Sequence, residues 1–103
     1  MNARQTPDLA SSRAAIDRID GELVRLFCER MRISAQIADY KREDNIPILD
    51  PVRENALLCR VAALAGAEME PYVRALYAAL LSASRAYQQA RIEDADGKDT
   101  SPQ

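Results

Sequence analysis

Apolar residues recur at steps of three and four through the first half of the chain, which is the spacing of one face of an amphipathic helix. The members of this apolar stripe are Ile16, Ile19, Leu23, Leu26, Ile33 and Ile37. Asp8, Ser11 and Ser12 are candidate N-caps at its start. The pattern therefore predicts one helix of roughly 30 residues that begins after Pro7 and ends near Arg42.

Two further helices are predicted downstream. Asp50 and Pro51 form an N-cap and first-position pair, and Gly66 marks the end of this second helix. Its apolar face carries Leu57, Leu58, Val61 and Leu64. The third helix begins near Pro71 and ends near Arg91. Its apolar face carries Val73, Leu76, Tyr77, Leu80 and Leu81. No segment has the pattern of a strand, so the predicted fold class is all-α, with three helices per chain.

The two ends of the chain are polar. We expect residues 1–10 to form a flexible N-terminus and residues 11–92 to form the helical domain. Residues 93–103 contain Gly97 and Pro102 and have no apolar periodicity, so they are predicted to be a disordered polar tail.

The first helix is too long for one small globule. A helix of 30 residues is about 45 Å long, whereas a compact domain of this size is about 30–35 Å across. Its apolar stripe runs almost throughout, so the projecting part needs another chain to cover it. We therefore predict an intertwined homodimeric helical bundle.

Three cations continue the apolar stripe, namely Arg13, Arg30 and Lys41. An unpaired buried cation is costly, and no carboxylate lies beside them on this face, so the pattern predicts an anionic ligand. Arg30 and Lys41 are about 16 Å apart along the axis on nearly the same face and can hold a small dianion between them. Arg13 is about 25 Å from Arg30, so it is either a surface residue or part of the partner chain's site.

Polar residues also interrupt the other two apolar faces. Glu54 lies on the core side of the second helix, and Ser84 and Gln88 lie on that of the third. Each has a simple structural explanation by itself, such as a helix-dipole contact for Glu54 or a backbone hydrogen bond for Ser84. Together with Arg30 and Lys41 they predict a shared polar pocket.

Composition narrows the chemistry of that pocket. A formal net charge of −2 argues against nucleic acid or an anionic membrane as the main partner. The chain has no His, and Cys28 and Cys59 lack the spacing of a metal site. It shows no signal peptide and no apolar run of spanning length, so we expect a cytoplasmic protein. Such a pocket suits ligand binding. It also suits a reaction that is catalysed by holding the substrate in one conformation and by stabilising charge that develops in the transition state. It does not suit hydrolysis.

The chain resembles the all-helical class of chorismate mutase, the type II family, over about residues 11–91. The matching segments are Arg13-Ala-Ala-Ile16-Asp-Arg-Ile19-Asp20, Glu29-Arg30, Lys41, Pro47-Ile-Leu-Asp50-Pro-Val-Arg53-Glu54 and Ser84-Arg-Ala-Tyr-Gln88-Gln89. The resemblance implies an intertwined dimer that rearranges chorismate to prephenate in a [3,3]-sigmatropic (Claisen) step, without a cofactor or a metal.

The resemblance also implies a role for each matched residue. Arg13 of the partner chain and Arg30 bind the two carboxylates of chorismate, and Ser84 assists at a carboxylate. Lys41 and Gln88 donate to the ether oxygen whose bond breaks. Glu54 holds the ring hydroxyl, and Asp50 and Arg53 shape that end of the pocket. Some family members carry Glu where Gln88 stands, and those require the Glu to be protonated.

Two alternatives remain open. An isochorismate-pyruvate lyase has the same fold and a similar Arg/Lys framework, but its pattern lacks a carboxylate matched to Glu54. A non-catalytic helical dimer that binds a metabolite or a partner enzyme is the second. The eight intact polar residues argue against that reading, because a pure scaffold gains stability from apolar residues at such places.

Overall fold

The computed structural model describes residues 8–100, with side chains described for residues 8–97. Within this range the chain forms three helices and no strand: α1 (Leu9–Glu43), α2 (Pro51–Ala65) and α3 (Glu70–Thr100). The predicted all-α class is confirmed. The first seven residues of the expected flexible N-terminus, and the last three of the expected tail, lie outside the described residues.

Helix α1 begins after a side-chain cap. The Oδ1 atom of Asp8 accepts a hydrogen bond from the backbone N–H of Ser11 at 2.7 Å, so Asp8 is the cap among the three candidates. The backbone N–H of Ser11 stabilises the ionised carboxylate and thereby lowers the pKa of Asp8.

Helix α1 ends in a Schellman motif, one residue beyond the predicted end at Arg42. Asn45 adopts a left-handed conformation with φ of 57°, which Asn tolerates better than most residues. The N–H of Ile46 donates to the carbonyl of Lys41 at 2.7 Å, and the N–H of Asn45 donates to Arg42 at 3.3 Å. These bonds satisfy carbonyls in the last turn and turn the chain out of the helix.

The chain divides into two compact units, Met1–Arg32 and Ile33–Gln103. The boundary falls within α1, so the first part of this helix belongs to the N-terminal unit and its last turns belong to the C-terminal unit. In the N-terminal unit the apolar stripe is exposed, with Ile16 at 55% and Leu23 at 55% relative exposure. In the C-terminal unit Ile33 and Ile37 are also exposed. The buried residues of α1 are instead Ser34, Ala35 and Ala38.

The apolar stripe is therefore not the face that α1 packs against its own chain. Ser34 and Ala38 are four residues apart, so they lie one above the other on one face of the helix. Their small side chains leave little apolar signal in the sequence. The face that carries the large apolar residues is exposed in the single chain.

The core of the C-terminal unit is formed between α2 and α3. Leu57, Val61 and Leu81 are buried, and Leu58, Val73 and Tyr77 pack against them. Burial of each leucine stabilises the unit by about 1.5–3 kcal/mol. The predicted apolar faces of α2 and α3 are correct at these positions. Leu64 and Leu76 are the exceptions, since they are 75% and 58% exposed.

The predicted boundaries of α2 are confirmed. The Oδ1 atom of Asp50 accepts from the N–H of Arg53 at 3.0 Å, and Pro51 occupies the first helical position. Gly66 follows the last helical residue with φ of 86° and ψ of 164°, a conformation that is essentially restricted to glycine.

Helix α3 continues to Thr100, so its predicted end near Arg91 is wrong, and residues 93–100 of the expected disordered tail are helical. Two ion pairs with α1 accompany this extension. Arg91 donates to both carboxylate oxygens of Asp39 at 3.1 and 3.0 Å, and Arg42 donates to Asp96 at 2.9 Å. These ion pairs connect the end of α3 to the last turns of α1, and apolar periodicity does not reveal them.

Candidate functional site

Three polar residues are buried among the described residues, and they contact one another. The hydroxyl of Ser84 donates to the hydroxyl oxygen of Ser34 at 3.0 Å. The Nε2 atom of Gln88 donates to the backbone carbonyl of Ser34 at 3.0 Å. The predicted inward position of Ser84 and Gln88 is confirmed, with relative exposures of 6% and 7%. Every buried side-chain N or O atom in the described part of the chain has a hydrogen-bond partner.

Ser34 is the polar residue that the sequence analysis missed. It connects α1 to α3, because its hydroxyl and its carbonyl each accept one bond from α3. Its spacing of four residues from Ala38 was the available signal for a small-residue face. With one N–H engaged by Ser34, the carboxamide of Gln88 keeps a second N–H and its oxygen for a ligand.

Lys41 lies at the end of α1 and is half-buried. Its ammonium donates to the backbone carbonyl of Ile48 at 2.9 Å. The loop after α1 therefore folds back over the Lys41 side chain. An ammonium has three donors, so two remain for an anionic or ether oxygen.

Glu54, in the first turn of α2, forms an ion pair with Arg85 of α3. The Nη1 atom of Arg85 lies 2.6 Å from each carboxylate oxygen of Glu54. The side chains are 21% and 35% exposed, so the pair is partly shielded from water. Glu54 was predicted as a pocket residue, whereas Arg85 was not singled out. Helical periodicity does not predict an ion pair between side chains that are 31 residues apart in the sequence.

Asp50 and Arg53 lie at the start of α2 and are both exposed. One oxygen of Asp50 is engaged by the helix cap, which leaves the other oxygen for further contacts. The guanidinium of Arg53 forms no ion pair with another described residue.

Arg13 and Arg30 belong to the N-terminal unit. Arg13 is exposed and Arg30 is half-buried. Neither guanidinium forms an ion pair or a side-chain hydrogen bond with another residue in the described range. Both guanidinium groups are accessible in the single chain, and the anionic ligand that the sequence predicts stays a prediction.

The other six predicted site residues all lie in the C-terminal unit: Lys41, Asp50, Arg53, Glu54, Ser84 and Gln88. Of these, the structure joins Ser84 and Gln88 through their shared contact with Ser34. Asp50 accepts from the backbone N–H of Arg53. Lys41 and Glu54 have partners outside the set, namely Ile48 and Arg85. The set supplies four kinds of hydrogen-bond donor, namely an ammonium, a guanidinium, a hydroxyl and a carboxamide. It also supplies two carboxylates, of which that of Glu54 is paired with Arg85.

Two further features of the described residues bear on function. They contain no cluster of three or more His, Cys, Asp or Glu side chains suited to a metal ion. In the same range, no helix is sufficiently long and apolar to cross a membrane.

Comparison with known proteins identifies a family. The family model for chorismate mutase type II matches residues 12–89 of the chain. A chorismate mutase from Methanocaldococcus jannaschii is 38% identical over 56 residues, which cover 54% of this chain and 57% of that protein. A bifunctional chorismate mutase/prephenate dehydratase from Aquifex aeolicus is 37% identical over 57 residues, covering 55% of this chain and 16% of that protein.

A third relative is the T-protein of Haemophilus influenzae, 38% identical over 50 residues that cover 48% of this chain and 13% of that protein. The aligned part of the chain thus spans little more than half of one of these relatives and a small part of the other two. No solved structure matches the chain significantly.

Proposed function

The chain belongs to the chorismate mutase type II family, and we propose that it is an isomerase that rearranges chorismate to prephenate. The step serves aromatic amino-acid biosynthesis through the shikimate pathway. The observation that carries the proposal is the buried carboxamide of Gln88, fixed by the carbonyl of Ser34 with one N–H left to donate. A buried donor held in this way suits the stabilisation of charge on a reacting oxygen.

The proposed mechanism needs no proton transfer and no covalent intermediate. In the transition state of the rearrangement, negative charge grows on the ether oxygen whose bond breaks. Lys41 and Gln88 donate hydrogen bonds to that oxygen, and these bonds strengthen as the charge grows. Because Ile48 and Ser34 already hold one donor of each group, little reorganisation accompanies the reaction.

Substrate binding is assigned to the remaining predicted residues. Arg30 and Arg13 of a second copy bind the two carboxylates, which accounts for two guanidinium groups that form no ion pair with the described residues. Ser84 assists at a carboxylate, for which its O–H turns from Ser34 to the substrate. Glu54 accepts a hydrogen bond from the ring hydroxyl, and Asp50 and Arg53 shape that end of the pocket. Holding both carboxylates selects the compact conformer from which the rearrangement proceeds.

A homodimer is part of the proposal. The stripe on α1 leaves large apolar side chains exposed, with Ile19, Leu26 and Ile37 between 43% and 50% accessible. A second copy that covers this stripe removes these side chains from water and brings its own Arg13 to the site. We propose a cytoplasmic location, because the free thiols of Cys28 and Cys59 are exposed and such thiols persist in a reducing compartment.

Product analysis tests the proposed function. Purified protein is mixed with chorismate and, separately, with isochorismate, and the products are separated by chromatography. Prephenate from chorismate as the main product supports the mutase. Pyruvate and salicylate from isochorismate as the main products assign the chain to the lyase alternative. A stable dimer that forms no product from either substrate indicates a role in binding a partner enzyme.

A further inference from the structure

We infer that Arg85 is a positioning residue, which holds the carboxylate of Glu54 in the orientation that accepts the ring hydroxyl of chorismate. This inference rests on the proposed function, because Glu54 is assigned to the hydroxyl there. Arg85 affects substrate binding by orienting Glu54, and it does not contact the substrate itself.

The contact is short and joins two helices. The Nη1 atom of Arg85 on α3 lies 2.6 Å from both Oε1 and Oε2 of Glu54 on α2. Glu54 has several rotatable bonds, and an unpaired side chain in the first turn of a helix samples several rotamers. A charged donor shared by both oxygens restricts the carboxylate to one position. Arg85 therefore supplies the order that the Glu54 side chain lacks by itself.

The location of Arg85 supports the same reading. It follows Ser84 directly and precedes Gln88 by three residues, so it lies one turn from the buried carboxamide on α3. Its contact with Glu54 thus ties the start of α2 to the part of α3 that carries two other predicted site residues. Neighbouring residues of α3 therefore contribute both to its contact with α2 and to the polar site.

The hydrogen-bonding capacity of the carboxylate leaves room for a ligand. A carboxylate has about four lone-pair sites on its two oxygens. The Nη1 atom of Arg85 occupies one site on each oxygen, so at least one further site on each remains. A substrate hydroxyl can therefore donate to Glu54 while the ion pair stays intact.

Arg85 also compensates the negative charge of Glu54. Chorismate carries two carboxylates, and an uncompensated Glu54 repels such a dianion. Arg85 offsets this charge within the C-terminal unit, and the partial burial of the pair limits screening by water. Since the substrate hydroxyl is bound in both the ground state and the transition state, loss of this arrangement raises KM more than it lowers kcat.

The test is a double-mutant cycle between Arg85→Met and Glu54→Gln, read as KM and kcat for chorismate. Arg85→Met in the wild-type background is expected to raise KM about tenfold, the effect of losing one charged hydrogen bond, with kcat little changed. In the Glu54→Gln background the same substitution is expected to change KM less than about twofold, because its effect requires the carboxylate. Arg85→Lys, which keeps the charge, is expected to restore part of the loss.

A matched control comes from the same helix. Arg74 also pairs with a glutamate, Glu70, at 3.0 Å, but within α3 and without a role in the site. Arg74→Met is expected to leave KM near the wild-type value. If Arg85→Met does not fold, as judged by circular dichroism, Arg85→Lys and Arg85→Gln complete the cycle.

The outcomes separate the inference from the proposed function. Equal increases in KM in both backgrounds, with an active wild type, overturn the positioning role, because Arg85 then acts independently of Glu54. A fall in kcat with unchanged KM overturns it as well. A wild type that makes no prephenate contradicts the proposed function, and the inference with it.

Discussion

The ammonium of Lys41 donates to the backbone carbonyl of Ile48 at 2.9 Å, and the carbonyl of Lys41 accepts from the N–H of Ile46 at 2.7 Å. Lys41, in the last turn of α1, is thus held at both its backbone and its side chain by the loop that follows. A cation fixed in this way keeps two free donors in a defined direction, which suits a group that stabilises developing charge.

Removal of the Lys41 side chain tests this role. Lys41→Ala is expected to lower kcat for chorismate about a hundredfold or more, which is typical of losing one charge-stabilising donor. The measurement is steady-state prephenate formation. Arg60→Ala serves as the control, because Arg60 is exposed on α2 and has no assigned role. A near-normal rate for Lys41→Ala contradicts the role of Lys41 at the ether oxygen.

The buried pair Ser34 and Ser84 predicts a coupling in stability. Ser34→Ala and Ser84→Ala are each expected to lower the free energy of unfolding by about 1 kcal/mol, because one hydroxyl is left without its buried partner. The double variant is expected to lose less than the sum of the two, since it leaves neither hydroxyl behind. Urea denaturation provides the three values. Ser82→Ala, at an exposed position of α3, is the control. If the loss of unfolding free energy in the double variant equals the sum of the two single losses, the two hydroxyls are not coupled.

The ion pair between Asp39 and Arg91 predicts a pH dependence of stability. The hydrogen bond from Arg91 lowers the pKa of Asp39, and the charge of Arg91 adds to this effect. A carboxyl whose pKa is lower in the folded state stabilises the fold fully above its ordinary value near 4, and this contribution is lost as the pH falls through the lowered value.

Asp39→Asn is therefore expected to lower the urea midpoint at neutral pH and to flatten its decline below about pH 4. Asp17→Asn, at an exposed carboxylate of α1 that forms no ion pair in the described part of the chain, is the control. Parallel pH curves for the wild type and Asp39→Asn exclude a contribution from this pair.

Gln88 predicts activity that depends little on pH. A carboxamide donates at every pH, whereas a carboxyl group donates only when it is protonated. The wild type is expected to have a nearly flat kcat profile from pH 5 to about 8. Gln88→Glu is expected to lose activity as the pH rises through the range in which the new carboxyl ionises. A steep loss of wild-type activity towards neutral pH contradicts the assignment of Gln88 as a donor to the ether oxygen.

Local rules predicted several features of the fold correctly. The Asp50-Pro51 pair and Gly66 define the ends of α2 in the sequence, because a cap acts within three or four residues. The inward positions of Ser84 and Gln88 followed from periodicity alone. Each of these inferences depends on one helix considered by itself, and in each case the structure agrees.

Features that depend on contacts between helices were not predicted. Ser34 and Arg85 acquire their partners from the alignment of one helix against another, which no local pattern specifies. Ion pairs with Asp39 and Arg42 of α1 accompany the extension of α3 past Arg91. Charged residues without apolar periodicity resemble a solvated tail in sequence, although a partner on another helix can order them.

We propose that each chorismate site is built from two chains. Arg13→Ala and Lys41→Ala chains are given different affinity tags, expressed together and purified through both tags. In the mixed dimer, one site has both residues and the other has neither. We predict that each parent variant is nearly inactive and that the mixed dimer forms prephenate at about half the wild-type rate, because one of its two sites is intact. A mixed dimer no more active than its parents, or the absence of a doubly tagged dimer, contradicts the claim.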